Sequence, residues 1–539
     1  MILWTGPLLP LAALVWPLLL AALMAVPGIR TRAVRLLPLA PLPGLWLALS
    51  ETEAMTTAPN LLLGVTLGLE PGARLLLGMS AALWCVAGLA AQPLSGRPDA
   101  AIFSGFWCVT LAGNLGVFLA QDVATFYVAF AAVSLASWFL IVHDRTPEAL
   151  RAGRVYIVIA LVGEVAILLG LLLGAQAAGS IAVAEVRAAI GKPAAALLVV
   201  GFGIKVGLVP LHVWLPLAHP AAPVAASAVL SGAIVKAGLV GMTLLLPEDA
   251  IGPVVTGLGL AGAFGAALWG LTQTNPKAVL AYSTISQMGL MAMLVAAGGA
   301  PREAVSYFAM HHGLAKGALF LLVGVMLVSH ARWHRTLCLV LAAIVAASVA
   351  GAPLTGGALA KAAVKQELAG WAVFALSLSS VTTSLVLLWF LVRLRRVNPS
   401  GEGRGWLARF SLPAILGALA LAAPWALWQD WTGLAHGYPA RPGNLLDALW
   451  PVGVALVIAP ALVRWSLPRM PPGDILLVIA PPKRGGFRQP ALPTFKTGLP
   501  GVGPAFTAGR SGLEKAMSRW SRSGWLLLML IPLIFALLA

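Results

Sequence analysis

The stretch VGFGIKVGLVPLHVWLPLAHP, at positions 200–220, decides the fold of this chain. It is apolar enough to lie in a bilayer, yet it contains Lys205, followed closely by Gly207 and Pro210. Proline removes a backbone donor, and a broken helix survives at membrane depth only where protein or water satisfies the freed groups. A charge at the bilayer centre also costs about 2.5–3.5 kcal/mol on insertion scales. The stretch therefore predicts a broken transmembrane helix with a functional lysine beside the break.

A second stretch repeats this pattern further along the chain. The run 336–370 contains AGAPLTGGALAK, which places Gly351, Pro353 and two more glycines ahead of Lys361. Repeated broken helices near the membrane midplane are typical of transporters built from internal repeats. The pair of breaks therefore favours two related halves, each with an ion-handling lysine.

The composition is that of a polytopic membrane protein. The 539 residues are 60% hydrophobic and only 10% charged, whereas a soluble domain carries about 25% charged residues. Apolar runs long enough to cross a bilayer recur along the chain, and we count roughly sixteen. The fold class predicted is all-α, with about 14–16 transmembrane helices. The first run, near 4–26, lacks a basic start and a cleavage site, so we interpret it as a retained span.

The net charge of +17 raises the possibility of nucleic-acid binding, but its distribution argues against that class. Basic residues cluster after the odd-numbered runs, whereas the even-numbered exits carry acidic residues, such as Glu248 and Asp249. This alternation is the positive-inside pattern and predicts that both termini lie on the non-cytoplasmic face. The basic clusters are Arg30, Arg32 and Arg35; Arg145, Arg151 and Arg154; Arg332 and Arg335; and Arg393, Arg395 and Arg396.

We divide the chain into six parts by hydropathy and proline content. One part, 468–521, is rich in proline and basic residues and is predicted to be a cytoplasmic linker without a long helix. The others are N-terminal transmembrane helices (1–99), a first repeat (100–246), a second repeat (247–396), C-terminal transmembrane helices (397–467) and a terminal transmembrane helix (522–539).

Lys205 and Glu164 are the first candidates for a proton pathway. Both lie in the middle of apolar runs, and a lysine can give up its proton on burial, whereas an arginine stays charged. For Lys205 the alternative is a side chain that snorkels to the interface, which requires a position near a helix end. For Glu164 the alternative is a purely structural ion pair.

Further candidates follow in the next runs. Lys236 lies mid-span, and His312 and Lys316, four residues apart, share one helix face on which protons could pass through water. His311 is better explained as a hydrogen-bonded core histidine. Secondary candidates are a histidine assigned to position 211 in the first broken stretch, Lys277, which we interpret as a cytoplasmic anchor, and Lys365 and Glu367, which lie near the end of the run that contains Lys361.

Other chemistry finds no support in the sequence. Gly257, Gly259 and Gly262 match a dinucleotide-binding pattern, but they lie in an apolar run without a preceding strand, so helix packing explains them better. The three cysteines lack metal-ligand spacing and are predicted to be small buried side chains. We therefore predict no catalytic redox site, no cofactor and no metal on this chain.

Four stretches resemble the antiporter-like membrane subunits shared by respiratory complex I, Mrp-type cation/proton antiporters and membrane-bound hydrogenases. They are GIKVGLVPLHVWLPLAHPAAPVAASAVLSGAIVKAG (203–238), NPKAVLAYSTISQMG (275–289), HHGLAKGALF (311–320) and GAPLTGGALAK (351–361). The resemblance implies two inverted five-helix repeats and a hydrated axis of lysines across the membrane. In that axis Lys205 and Lys361 match the ionisable residues of the two broken helices, and Lys236 and Lys316 match the central relay.

One departure from the family pattern concerns the counter-charge of Lys205. The family usually carries a glutamate in the fifth span, and the corresponding position here is Ala131. Either Glu164, one helix later, replaces that acid, or the subunit has lost its charge pair. We favour replacement.

The predicted function is that of a proton-translocating subunit of a multisubunit, ion-coupled membrane complex, with exchange for Na⁺ or another cation left open. The predicted partners are other membrane subunits, a soluble catalytic subunit and the lipid bilayer, and the predicted location is the bacterial inner membrane. Two alternatives remain: a subunit that uses the proton gradient for another task, such as inorganic carbon uptake, and a non-conducting scaffold.

Overall fold

The structure is a computed structural model that describes residues 8–50, 55–297, 302–366, 368, 370–401, 405–464, 470 and 472. The predicted linker at 468–521 falls almost wholly outside these residues, and the predicted terminal helix at 522–539 falls wholly outside them. Within the described residues the protein is a bundle of helices, with one small antiparallel hairpin formed by β1 (Thr56–Ala58) and β2 (Val65–Leu67).

Twelve helical segments of the described chain are long and apolar enough to cross a membrane, judged by length and composition. Two further apolar helical segments, Leu9–Ala25 and Leu37–Leu49, are shorter. The N-terminal helices are α1 (Leu9–Ala25), α2 (Arg30–Arg35), α3 (Leu42–Leu49) and α4 (Pro71–Ala91). The C-terminal helices are α20 (Trp406–Ala426), α21 (Trp428–Thr432) and α22 (Pro442–Arg464).

Between these ends lie two successive groups of helices with the same order of features. The first group is α5 (Ala100–Leu119), α6 (Val123–Ile141), α7 (Pro147–Ala178), α8 (Val183–Ala189), α9 (Lys192–Val206), α10 (Leu215–Ala221), α11 (Val224–Val229) and α12 (Val235–Leu245). The second is α13 (Glu248–Leu260), α14 (Ala267–Gly270), α15 (Pro276–Ala296), α16 (Arg302–Leu327), α17 (Arg332–Ala350), α18 (Gly356–Lys365) and α19 (Trp371–Arg395). In each group the fourth membrane-crossing unit is broken: α9 with α10, and α17 with α18.

Both breaks are made in the same way. Gly207 ends α9 with φ of 82° and Gly351 ends α17 with φ of 89°, a left-handed conformation that glycine adopts without strain. The next amide in each case returns to a carbonyl of the last turn: Leu208 to Gly203 at 2.8 Å and Ala352 to Ala347 at 2.9 Å. This is the Schellman termination, and it confirms the two predicted helix breaks.

Two helices also contain a widened π-helical turn, at Leu230–Ile234 between α11 and α12 and at Ala261–Ala266 between α13 and α14. Such turns disturb the regular hydrogen-bond ladder and are frequent at functional sites. At both turns a polar side chain donates a hydrogen bond to a backbone carbonyl. Lys236 Nζ donates to Ser231 O at 2.8 Å, and Ser286 Oγ donates to Ala263 O at 2.6 Å.

Candidate functional site: a buried lysine axis

Lys205 and Glu164 face the same small cavity between α6, α7 and α9. Lys205 is 4% exposed and Glu164 is 5% exposed, and both line a cavity of about 10 Å³, close to the minimum that holds one water. Lys205 Nζ also lies 5.5 Å from the ring centre of Phe130. One carboxylate oxygen of Glu164 and the hydroxyl of Ser134 have no hydrogen-bond partner among the described residues, so the polar groups around the cavity suit a bridging water.

The position predicted to lack the family acid does not line this cavity. Ala131 is half-buried, and α6 contributes Phe130 and Ser134 instead. Glu164 reaches the cavity from α7, the next helix in the chain. The structure thus places Glu164 and Lys205 on the same cavity, and the replacement of the missing acid by Glu164 stays a prediction.

α12 packs closely against α9 at Lys205. A methyl group on Gly238 would lie 2.9 Å from Lys205 Cβ and 2.9 Å from Phe202 O. Glycine is needed here because of this close approach. It places Lys236, two residues earlier on α12, next to the helix that holds Lys205.

Polar groups with hydrogen bonds to one another lie between Lys236 and Lys316, in the middle of the protein. Lys236 Nζ contacts His312 Nδ1 at 3.0 Å as well as Ser231 O, and the Ser231 hydroxyl contacts Thr284 Oγ1 at 2.7 Å. Thr284 Oγ1 and Lys316 Nζ both donate to Leu280 O, at 2.9 and 3.1 Å. His312 and Lys316 are both buried on α16, with the Ser231 and Thr284 hydroxyls between their partners, and the proton-passing face stays a prediction.

Lys361 occupies the second break. Its ammonium donates to Ala350 O, the last carbonyl of α17, at 2.8 Å and to Ser380 Oγ on α19 at 2.7 Å. His311 lies at the same break, where its Nε2 contacts Ser348 Oγ at 2.9 Å. α16 therefore links the two regions, because His312 bonds to Lys236 and the adjacent His311 bonds beside the break.

The secondary candidates have mixed placements. Lys277 is buried in the first turn of α15 and donates to Ala222 O at 2.6 Å, and its interpretation as a cytoplasmic anchor stays a prediction. Lys365 forms an ion pair with Asp447 at 3.5 Å, and Glu367 lies outside the described residues.

The assignment of a histidine to position 211 is wrong by one residue. Position 211 is Leu211, and the histidine of this stretch is the next residue, His212. Leu211 is half-buried, and its Cδ1 would lie 3.2 Å from a methyl group on Gly203. It packs against α9 and cannot carry a proton, because its side chain is aliphatic. His212 is buried at the first break, 6.4 Å from the ring centre of Tyr282, and takes its place as the secondary candidate.

One buried histidine was not selected from the sequence. His219 is fully buried, both of its ring nitrogens lack a partner within the described part of the chain, and its ring stacks on Phe320 at 4.6 Å. The signal available in the sequence was a histidine at the end of the first broken stretch. A group of His, Cys, Asp and Glu side chains suited to a metal ion is not found among the described residues.

A separate cluster ties the loops at one end of α5 and α6. Arg97 Nη1 contacts Asp144 Oδ1 at 2.7 Å and Arg97 Nε contacts Asp99 Oδ1 at 3.2 Å. His143, just beyond α6, is buried beneath them, and this burial lowers its pKa below the usual value although the nearby Asp99 opposes the shift. The cluster joins two loops and lies apart from the lysine axis.

Comparison with known proteins identifies the family. Residues 120–386 match the family described as NADH:quinone oxidoreductase/Mrp antiporter, TM. Subunit N of the NADH-quinone oxidoreductase of Cereibacter sphaeroides is 31% identical over an alignment of 434 residues, and the match covers 74% of this chain and 95% of that protein. The chain belongs to the NADH:quinone oxidoreductase/Mrp antiporter membrane family. Every residue of the axis, from Glu164 to Lys361, lies inside the matched segment.

Other relatives are covered only in part. Hydrogenase-4 component B of Escherichia coli is 33% identical over 253 residues, which are 42% of this chain and 38% of that protein. The chain spans 31% and 54% of two further curated relatives. The Mrp complex of Dietzia sp. contains a chain with the same fold: the TM-score is 0.68 at 21% identity, over 97% of this chain and 62% of that one.

Proposed function

We propose that this chain translocates protons as one membrane subunit of a multisubunit, ion-coupled complex. The observation that carries the proposal is the buried set of polar groups made by His312, Lys236, Ser231, Thr284 and Lys316, which bond to one another or to shared backbone carbonyls. Glu164 and Lys205 lie at one end of this axis and Lys361 at the other.

In the proposed cycle, Glu164 stabilises the protonated form of Lys205. When that pair changes its charge or its separation, the electric field at Lys236 changes, and a proton moves from Lys236 toward Lys316 past the Ser231 and Thr284 hydroxyls. At an effective dielectric constant of about 20, two unit charges about 6 Å apart interact by about 2.8 kcal/mol. This matches the roughly 2.3 kcal/mol needed to move one charge against 100 mV, so a neighbouring pair can drive the step.

The partners in this proposal are other membrane subunits and a soluble catalytic subunit. The names of the relatives include quinone oxidoreductase and hydrogenase components, which supports such an assembly. We place the chain in the bacterial inner membrane, with both termini outside the cytoplasm and the six-part division proposed from the sequence. The proposal includes exchange of protons for Na⁺. In that case the lysine axis of this chain carries H⁺, and the partner subunits carry Na⁺.

The test is proton movement by the intact complex in proteoliposomes that contain a pH-sensitive dye. Lys205→Ala and Glu164→Gln are each expected to reduce coupled proton movement at least tenfold, because each removes one partner of a buried charge pair. Assembly of the complex, followed by size-exclusion chromatography, should remain normal.

The matched controls change the same residue types on the same helices. Lys192→Ala, at the exposed start of α9, and Glu148→Gln, in the exposed first turn of α7, should leave proton movement unchanged. Near-normal pumping by the purified Lys205→Ala complex would contradict the mechanism and favour the alternative in which this chain is a non-conducting scaffold. Uptake of inorganic carbon without net proton pumping would favour the alternative in which the complex uses the proton gradient for that uptake.

A further inference from the structure

A cavity beside the second helix break runs from Lys361 to the surface of α22. It has a volume of about 50 Å³ and is lined by Lys361 and Lys365 from α18, Ser380 from α19, and Asn444 and Asp447 from α22. A polar cavity of about 10–15 Å³ already holds one water. This cavity is therefore large and polar enough for a short water chain.

The charges around the cavity are arranged in order of exposure. Lys361 is 6% exposed, and Lys365, four residues later on the same helix face, is 23% exposed. Like charges at this spacing repel each other. Asp447 is 63% exposed, and its Oδ2 lies 3.5 Å from Lys365 Nζ, so this carboxylate compensates the outer ammonium.

The other elements packed around Lys361 bring few titratable groups in the described chain. α16 contributes His311, which is held by Ser348, and the turn before α22 contributes Tyr438, whose ring lies 5.2 Å from the Arg441 guanidinium. Among the described residues that line the cavity, Asp447 is the one with an acidic side chain.

We propose that Asp447 is the surface group through which Lys361 exchanges its proton with bulk water, and that the Asp447–Lys365 pair keeps Lys361 able to hold that proton. This inference rests on the proposed proton translocation. In the exchange, an N–H bond of the Lys361 ammonium breaks, water in the cavity passes a proton on, and an O–H bond forms on Asp447. The ammonium becomes an amine, the carboxylate becomes a carboxylic acid, and Asp447 then releases the proton to solvent.

Asp447 lies outside the segment that matches the family. The family match ends at residue 386, whereas α22 begins at Pro442. The C-terminal helices of this chain would therefore control the outlet of an axis that the core supplies.

The first test compares pH profiles of proton movement by the intact complex. Asp447→Asn leaves the Lys365 charge uncompensated, which destabilises the protonated form of Lys361, so the profile should move by about one unit toward lower pH. Asp447→Glu should keep the position of the profile and the maximal rate. Asp447→Asn combined with Lys365→Gln should restore the position of the profile but not the maximal rate, because the carboxylate that accepts the proton is still missing. Asp430→Asn, a change of an exposed acid on α21, is the matched control.

The second test measures the charge in the cavity without any transport. Ala362→Cys places a thiol on the cavity wall, and its reaction with anionic and cationic thiosulfonates is compared in membranes of cells that make the full complex. Adding Asp447→Asn should raise the ratio of anionic to cationic rates about tenfold. Adding Asp430→Asn should not, and the chain without Ala362→Cys gives the background from its own cysteines.

The outcomes separate the two proposals. An unchanged pH profile and an unchanged rate ratio in Asp447→Asn overturn the role of Asp447, even where the parent complex pumps. A shifted ratio with no pumping by the parent overturns the proton-exchange step and the proposed function, and leaves only the charge compensation. Should Asp447→Asn fail to accumulate, Lys365→Gln alone must shift the ratio the opposite way, and no shift overturns the inference.

Discussion

Four buried lysines of this protein bond to backbone carbonyls, and three of these carbonyls lie at a helix end or a π-helical turn. A neutral carbonyl satisfies the ammonium but leaves no uncompensated buried charge when the proton departs, unlike a carboxylate partner. Such a lysine can therefore change its protonation state without disrupting the fold. The pairs are Lys236 with Ser231 O, Lys277 with Ala222 O, Lys316 with Leu280 O, and Lys361 with Ala350 O.

At the scale of single residues, the hydroxyl of Thr284 is the group whose role in proton movement is most directly tested. Thr284→Val keeps the shape but removes the hydroxyl that joins Ser231 to Leu280 O. The loss of a hydrogen bond worth about 1–1.5 kcal/mol in the path should slow proton movement about tenfold, measured in the same proteoliposomes. Thr243→Val, a change of a half-buried threonine whose hydroxyl donates to Val240 O in its own helix, is the control. Equal rates for the two variants would remove Thr284 from the path.

At the scale of elements, the two breaks place a lysine next to freed helix-end carbonyls. In the first break Trp214 Nε1 donates to Ile204 O at 2.7 Å, and in the second Lys361 itself takes the terminal carbonyl of α17. Helix C-termini carry partial negative charge and favour cations. At the second break the lysine therefore bonds to the helix-end carbonyl itself. At the first break Lys205 instead faces the cavity that it shares with Glu164.

The glycine at the first break gives a stability prediction. Gly207→Ala forces a side chain into a left-handed conformation, which costs about 1–2 kcal/mol, and its methyl group would lie 2.6 Å from Leu215 Cδ1. We expect a lower melting temperature of the purified protein in detergent, followed by intrinsic tryptophan fluorescence. Gly257→Ala, where a methyl group meets nothing within 4 Å, should keep or raise the melting temperature. If Gly207→Ala melts with the parent, the break does not depend on this glycine.

At the scale of the whole molecule, the uneven distribution of charge predicts how the bundle is oriented in the membrane. The basic clusters follow alternate runs, and α7 is long enough to test the resulting orientation because Glu148 and Ala177, both exposed, lie near its two ends. At about 1.5 Å per residue, these positions are about 44 Å apart, which exceeds the hydrocarbon core of about 30 Å.

We therefore expect Glu148→Cys to react with a membrane-impermeant maleimide only from the cytoplasmic face and Ala177→Cys only from the opposite face. The comparison uses right-side-out and inverted membrane vesicles. Val158→Cys, an exposed position in the middle of α7, should react from neither face. Labelling with the sides reversed would contradict the positive-inside assignment and place both termini in the cytoplasm.

The sequence by itself determined the class, the two broken helices and the family, because hydropathy, glycine–proline pairs and ordered motifs are local signals. It also singled out Lys205, Lys236, Lys316 and Lys361, since a buried lysine is costly wherever it occurs in an apolar run. These features need no knowledge of which helices touch.

Only the tertiary structure decided how those lysines are partnered. The sequence could not place Glu164 in the cavity of Lys205, place Ser231 and Thr284 between Lys236 and Lys316, or bury Lys277. Nor could it bring Asp447 from α22 to the mouth of the Lys361 cavity. The physical reason is that each of these contacts joins different helices, and helix packing, which no local pattern encodes, sets the distances between them.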